Sequence, residues 1–368
     1  MINIKNTLWI YILLISFLWI LAEERLFTNL DTLLEWRPLL IQASGIIAIA
    51  VMSFAMILSI RPKFLENSLN GLDKIYRLHK WLGISALIFS ILHWLIIKTP
   101  TWLVNLGLLV RKARAARPKL PEDSLQKLFM DQSSLAKTVG EWAFYCTILL
   151  IMLALIKKFP YRKFVQTHKI LAIVYLALSF HVVILLRFSY WLQPIGLIVM
   201  LLLIIGVISA VMVMLGKKAV AYKKVLGKII GLKYYQISNI TAIDIQLKEG
   251  WPGHQAGQFA FVMFNKNEGY HPFTIESSWQ YDGYIRFMVK GLGDYTNTLP
   301  KQLKLDDEVI VEGPYGRFTF MSPAPYQVWI AGGIGITPFI ARLRHLAHTT
   351  DGKKLSFFIL YVTTIKNS

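Results

Sequence analysis

Two hydrophobic rhythms divide this chain. Up to about residue 215 the apolar positions come in long unbroken runs. Six of them, near 7–22, 38–60, 76–98, 139–156, 169–187 and 194–215, are long enough to cross hydrocarbon as helices. The first and fourth are short, which predicts tilt or thin embedding. Beyond about 216 the runs shorten and alternate, as in YYQISNITAIDIQLK, AGQFAFVMF, YIRFMVKG and DEVIVEGPYG, with Gly, Pro, Asn and Asp between them. That is the signature of an antiparallel β domain. VWIAGGIGITPF, IARLRHLAHTT and LSFFILYV then read as strand, glycine turn, helix and strand, the opening of a nucleotide-binding α/β domain. The expected fold is therefore a multi-domain membrane protein. A six-helix transmembrane bundle (1–216) precedes an antiparallel β-barrel (217–323) and the start of an incomplete α/β nucleotide-binding domain (324–368).

Composition supports the membrane assignment. Hydrophobic residues make up 55% of the chain and the mean hydropathy is +0.49. The net charge of +19 sits beside the apolar runs, which argues for a membrane surface and against a nucleic-acid partner. RPKFLENSLNGLDK, KKFPYRK and GKKAVAYKKVLGK are basic, whereas EERLFTNLDTLLEWR and FSYWLQ are not. Alternation then places both termini in the cytoplasm of an integral plasma-membrane protein. RKARAARPK, in the loop 99–138, runs against this order, and TWLVNLGLLV within the same loop is a candidate interfacial piece. The first run lacks a small-residue cleavage site and reads as a retained span. The lone cysteine, Cys146, rules out an internal disulfide and cysteine-built zinc or iron–sulfur centres.

The candidate chemistry lies in histidines. His79 and His93 sit on the third run, His168 and His181 on the fifth. Fourteen residues are nearly four helical turns, so His79 and His93 share a face about 21 Å apart along the axis. Thirteen residues make roughly 3.6 turns, so His168 and His181 require a distortion or different ring approaches. Odd-numbered spans run in the same direction, which pairs His79 with His168 and His93 with His181. Two bis-histidine haems satisfy all four residues. Interhelical hydrogen bonding and a proton relay in a transporter are the other readings.

The paired spacing resembles the ferric reductase and NADPH oxidase superfamily, as do HPFTIESS, KGLGDYTNTL, VEGPYG and AGGIGITPF downstream. The resemblance implies two haem b groups, an inner one on His79/His168 and an outer one on His93/His181. It also implies FAD. His271 would lie near the phosphates, Phe273 against the ring and Thr274 near the reactive flavin nitrogen, with Pro272 also among the cofactor-binding residues. Gly293, Tyr295 and Thr296 would hold the diphosphate, since glycines let the backbone approach phosphates closely. VEGPYG reads as structural, with Pro314 and Gly316 setting a turn. Gly332, Gly333, Gly335, Thr337 and Pro338 would meet NADPH or NADH at a helix N-terminus, with Thr337 near the nicotinamide. His345 and His348 read as surface residues.

The implied activity is that of an NAD(P)H oxidase or ferric reductase. Hydride passes to the flavin at Thr274 and Thr337, and single electrons then cross the membrane to O2, as superoxide, or to a ferric chelate. Two departures bear on the acceptor. Ile97 stands where the related oxidases tend to carry a further histidine, and Val174, beside Tyr175, where they often carry an aromatic. YVTTIKNS offers Thr363, Thr364 and Lys366 where NADPH-preferring relatives often have arginine. A haem-binding scaffold without turnover is the non-enzymatic alternative.

Overall fold

The computed structural model describes residues 4–27, 32–110, 120–156, 159–216, 223–321, 326–348 and 356–362, the last as backbone. The chain forms two compact units, Met1–Val220 and Ala221–Ser368.

Unit one is helical. α1 (Ile4–Ala22), α2 (Leu33–Ser59), α4 (Leu72–Asn105), α5 (Leu125–Leu155), α6 (Tyr161–Leu185) and α7 (Pro194–Met214) match the six expected spans, with the short α3 (Lys63–Leu69) between α2 and α4. Each contains a stretch long and apolar enough to cross a membrane. The fourth expected span, 139–156, is too short at its start. LQKLFMDQSSLAKT continues the helix back to Leu125, capped by the Ser124 hydroxyl accepting from the Lys127 N–H at 3.2 Å. Hydropathy locates hydrocarbon, whereas a helix also propagates through polar residues once it is nucleated and capped. The interfacial candidate 101–110 begins as the last turn of α4, which runs to Asn105. RKARAARPK lies outside the described residues.

Ile15, Trp19, Leu39, Ile46, Tyr175, Tyr190 and Leu203, from α1, α2, α6, α7 and the α6–α7 link, form the bundle core. At one edge of this core Glu23 is 1% exposed and accepts from the Arg187 guanidinium and the Tyr190 hydroxyl. It thereby fastens the end of α1 to the α6–α7 link. Glu23→Gln removes the charge from a half-desolvated cluster and should cost about 2–3 kcal/mol. A thermal melt of the detergent-solubilised protein checks this, and an unchanged melting temperature would refute it.

α4 packs on α2, and α6 packs on α5 and α7. The α4 and α6 backbones stay apart, and their histidine rings are what approach. The two helices face one another across two cavities of about 580 and 490 Å³.

Unit two opens with a six-stranded antiparallel sheet. Its strands are β1 (Lys224–Tyr235), β2 (Ile240–Leu247), β3 (Phe259–Met263), β4 (His271–Thr274), β5 (Tyr284–Lys290) and β6 (Glu308–Tyr315), in the order β4-β3-β6-β1-β2-β5. The edge strands meet where Ile275 bridges Phe287 and the Glu276 N–H donates to the Arg286 carbonyl at 2.9 Å, which closes the sheet. Alternation points Ile285, Phe287 and Val289 of β5 inward, with Ile229, Ile245 and Val311. α8 (Asp294–Gln302) follows β5. Then β7 (Tyr326–Gly332), a 3₁₀ turn at Gly333–Ile336, α9 (Thr337–His348) and β8 (Ser356–Val362), parallel to β7, form one strand–helix–strand unit.

Candidate functional site

In unit one the four expected histidines meet in the expected pairs. The His79 and His168 ring centroids are 5.9 Å apart with planes at 66°; those of His93 and His181 are 6.5 Å apart at 86°. With metal–imidazole bonds of about 2 Å, two rings gripping one iron from opposite sides have centroids roughly 6 Å apart. Both pairs fit that requirement. α6 is continuous α-helix from Tyr161 to Leu185, and the two ring pairs meet at different angles, 66° and 86°.

Backbone carbonyls orient the rings. His79 Nδ1 donates to the Ala55 carbonyl at 3.0 Å, His93 Nδ1 to that of Ile41 at 3.1 Å, and His181 Nδ1 to that of Ala136 at 2.8 Å. A proton held at Nδ1 leaves Nε2 with its lone pair, the form a metal requires. His168 Nδ1 has no such partner among the described residues; its ring stacks on Phe164 at 5.0 Å. Two glycines seat the other pair. A Cβ at Gly140 would lie 2.0 Å from His181 Nδ1, and one at Gly45 would lie 3.1 Å from His93 Cε1.

Each pair lines its own cavity, and Met52, Thr147 and Leu178 line both. The sizes fall in the range of cofactor pockets, roughly 300–1,000 Å³. The His93/His181 cavity also holds Arg37, Lys98, Lys137 and Glu141. Arg37 donates to the Ile96 and Ile97 carbonyls at 3.2 and 3.1 Å, and Lys98 pairs with Glu141 at 2.6 Å. The Trp94 indole N–H, in the same wall, has no partner among the described residues. These cations and this donor suit a group that carries carboxylates. Sequence reasoning missed them and the two seating glycines. A glycine inside an apolar helix, where alanine would be more stable, was the available signal.

In unit two, β4 carries HPFT. The His271 ring stacks on Tyr295 at 4.3 Å, and Phe273 lies 5.9 Å from Phe264 and 6.3 Å from Phe287. Pro272 is exposed and Thr274 half-buried. Gly293 caps α8, and the Thr296 hydroxyl accepts from the Leu292 and Gly293 N–H groups at 2.9 and 3.1 Å. His271, Phe273 and Tyr295 are thus brought together, while Thr296 occupies N–H groups expected to face phosphate. Burial pushes His271 below the usual imidazole range, against the opposing pull of Glu268, and so favours the neutral ring. Burial and then Glu268 raise the Tyr295 phenol to about 12. Nothing lies within 4 Å of a Cβ built on Gly293 or Gly335, so both leave room for a ligand. Gly333 has φ +52°, and the Thr337 hydroxyl donates to the Ile334 carbonyl at 2.6 Å, so the loop closes on itself ahead of α9. Gly332 and Gly335 are exposed, and Pro338 is half-buried. Thr363, Thr364 and Lys366 lie outside the described residues, whereas His345 and His348 are exposed as expected.

His254 is a structural histidine that sequence reasoning passed over. Its Nδ1 accepts from the Trp251 indole at 3.3 Å and its Nε2 donates to the Ser277 carbonyl at 3.1 Å. Burial lowers its pKa to about 4. A buried neutral histidine contributes stability that is fully present above the unfolded value near 6.5. That stability drains away as pH falls toward 4, by about 3 kcal/mol in all. Tryptophan-fluorescence denaturation at pH 7 and pH 4.5 should show this loss, and His254→Gln should flatten the slope between them. An equal slope in the variant would exclude His254 as its source.

Comparison with known proteins identifies a domain family in each unit. Residues 44–179 match the family described as ferric reductase like transmembrane component, and residues 226–319 match an FAD-binding domain family. The fold and site therefore define a ferric-reductase-type membrane domain joined to a flavin domain. Each match covers one part of the chain, the first in the helical unit and the second in the β-rich unit. Among curated relatives, ferric reduction oxidase 7, chloroplastic, of Arabidopsis thaliana is 37% identical over 126 residues, covering 27% of this chain and 16% of that protein. The reductase component of propane 2-monooxygenase from Rhodococcus jostii is 27% identical over 105 residues, 28% of each chain. The chain thus spans well under half the length of these relatives. Ferredoxin-NADP+ reductase from Plasmodium falciparum aligns with 39% of this chain and 62% of its own, at 19% identity and a TM-score of 0.34.

Proposed function

We propose that the protein carries electrons across the plasma membrane from NADPH or NADH to an acceptor on the far side, with both termini cytoplasmic. The observation that supports this best is the pair of cavities, each spanned by one histidine from α4 and one from α6. When bound, FAD supplies the change from two-electron to one-electron chemistry, and two haem b groups supply one-electron carriers.

The chain's own residues do the rest. His79 and His168 would hold one iron, His93 and His181 the other. The carbonyls of Ala55, Ile41 and Ala136 fix three of these rings, so little reorganisation accompanies a change of charge. Met52, Thr147 and Leu178 keep the space between the cavities short and largely apolar. Arg37, Lys98 and Lys137 would balance carboxylates at the outer site. Phe273, His271 and Tyr295 form an aromatic wall for the flavin, with Thr274 beside it. Gly332, Gly333 and Gly335 leave backbone accessible to a dinucleotide, and Thr337 and Pro338 open α9 behind it. Held by His93 and His181, the outer haem would supply single electrons to the acceptor, on the first reading O2, which would leave as superoxide. A ferric chelate is the second reading of the acceptor, favoured by Ile97 and by the likeness to a protein named ferric reduction oxidase.

The test is a spectrum of the detergent-purified protein before and after anaerobic addition of NADPH or NADH. A b-type Soret band that shifts on addition supports the proposal. No Soret band after haem supplementation would exclude it and favour a transporter; a band that never responds would leave a non-enzymatic haem scaffold. A superoxide-trapping dye and a ferrous chelator then discriminate the two acceptors.

A further inference from the structure

Where the barrel closes, two residues beyond Thr274, stands a buried carboxylate that the reaction outlined above does not use. Glu276 is 3% exposed. Its Oε1 accepts from the Arg344 guanidinium of α9 at 3.0 Å, while its Oε2 is buried without a partner among the described residues. The backbone beneath it is pinned, since the Glu276 N–H donates to the Arg286 carbonyl and the Arg286 N–H to the Ser277 hydroxyl. Beside it Asp244 accepts from Arg286 and from the Tyr284 hydroxyl. Acidic and basic groups from β2, β5, the residues just after β4 and α9 therefore meet in one cluster, and among the described residues Arg344 is its member from the nucleotide-loop side. At the other end of β5, Lys290 Nζ lies 4.0 Å from a Cβ built on Gly333. The glycine loop thus lies near one end of β5, and Glu276–Arg344 joins α9 to the residues just after β4.

We propose that Glu276 and Arg344 are positioning residues. They dock α9 on the closing seam of the barrel and so set the glycine loop relative to the end of β4, where Thr274 lies. Neither touches flavin or nucleotide. The inference rests on the assignment of Thr274 and the glycine loop to flavin and dinucleotide made above. A desolvated carboxylate with one oxygen unsatisfied is costly, and removal of its guanidinium leaves an uncompensated buried charge, so the pair acts as a unit. A dinucleotide displaced by about 1 Å from its reacting partner can lose on the order of 100-fold in rate.

The experiment is a double-mutant cycle on the full chain, with Glu276→Gln, Arg344→Gln and the double variant, read two ways. Hydrogen exchange of the α9 amides should quicken at least about tenfold in each single variant, while β1 and β2 keep their protection. Flavin reduction at saturating NADPH or NADH should slow by about 10–100-fold with little change in the nucleotide concentration needed. The double variant should be no worse than the poorer single one. Unaltered α9 exchange, strictly additive effects, or loss of bound flavin in both single variants would overturn the proposal. If the wild-type flavin is reduced by neither nucleotide, the oxidoreductase reading fails, and the exchange data still decide the docking role.

Discussion

Replacing His93 by alanine should leave a protein that binds one haem instead of two. His93 and His181 are the only described histidines in their cavity, and their rings stand at the separation that one iron requires. The other cavity keeps its own pair, His79 and His168, and shares with the first only the wall of Met52, Thr147 and Leu178. The reduced-minus-oxidised b-type absorbance should therefore fall by about half. Flavin reduction by nicotinamide should persist. Electron delivery to the external acceptor should fall by more than the ~10–100-fold that loss of a mere supporting contact costs a metal site. Loss of all haem would show that the sites assemble as one unit; retention of both would remove His93 from the ligand set.

A single methyl group should nearly reproduce that phenotype. Gly140→Ala places a carbon 2.0 Å from His181 Nδ1, a distance no real contact allows. Inside a helix this substitution ordinarily gains about 0.5–1 kcal/mol. Here the ring must move and give up its bond to the Ala136 carbonyl. The overpacking alone costs about 1–3 kcal/mol, and the displaced ring no longer faces His93. The haem-to-protein ratio should drop toward one. Gly45→Ala, at 3.1 Å from His93, should act in the same direction with a smaller effect. Unchanged haem content in the Gly140 variant would refute the steric argument.

Much of this arrangement was legible in the sequence because its physics is local or periodic. Apolar runs locate spans, and the 14- and 13-residue spacings locate the histidine levels. The alternation of YIRFMVKG marks a half-buried strand, and β5 shows that pattern. What stayed hidden depends on partners distant in sequence. Gly140 is informative only once His181 lies against it, 41 positions later. Arg37 lies near the start of an apolar run and gives no sign that it will meet the carbonyls of Ile96 and Ile97. Glu276 looks like one more polar residue after a flavin motif until α9 brings Arg344 to it. The polar first half of α5 escaped because hydropathy sees hydrocarbon and not helix.

The gap between α4 and α6 bears on the protein's life before it works. Each helix contributes half of each histidine pair, and their backbones stay apart where the cavities lie between them. On the two-haem reading, the cofactors are the mortar of this bundle, and neither site is complete until residues near both ends of a hundred-residue span have come together. Newly made chains would then wait, hollow and open to proteolysis, until haem arrives. The abundance of the protein in a cell would follow the haem supply even when its transcript is constant.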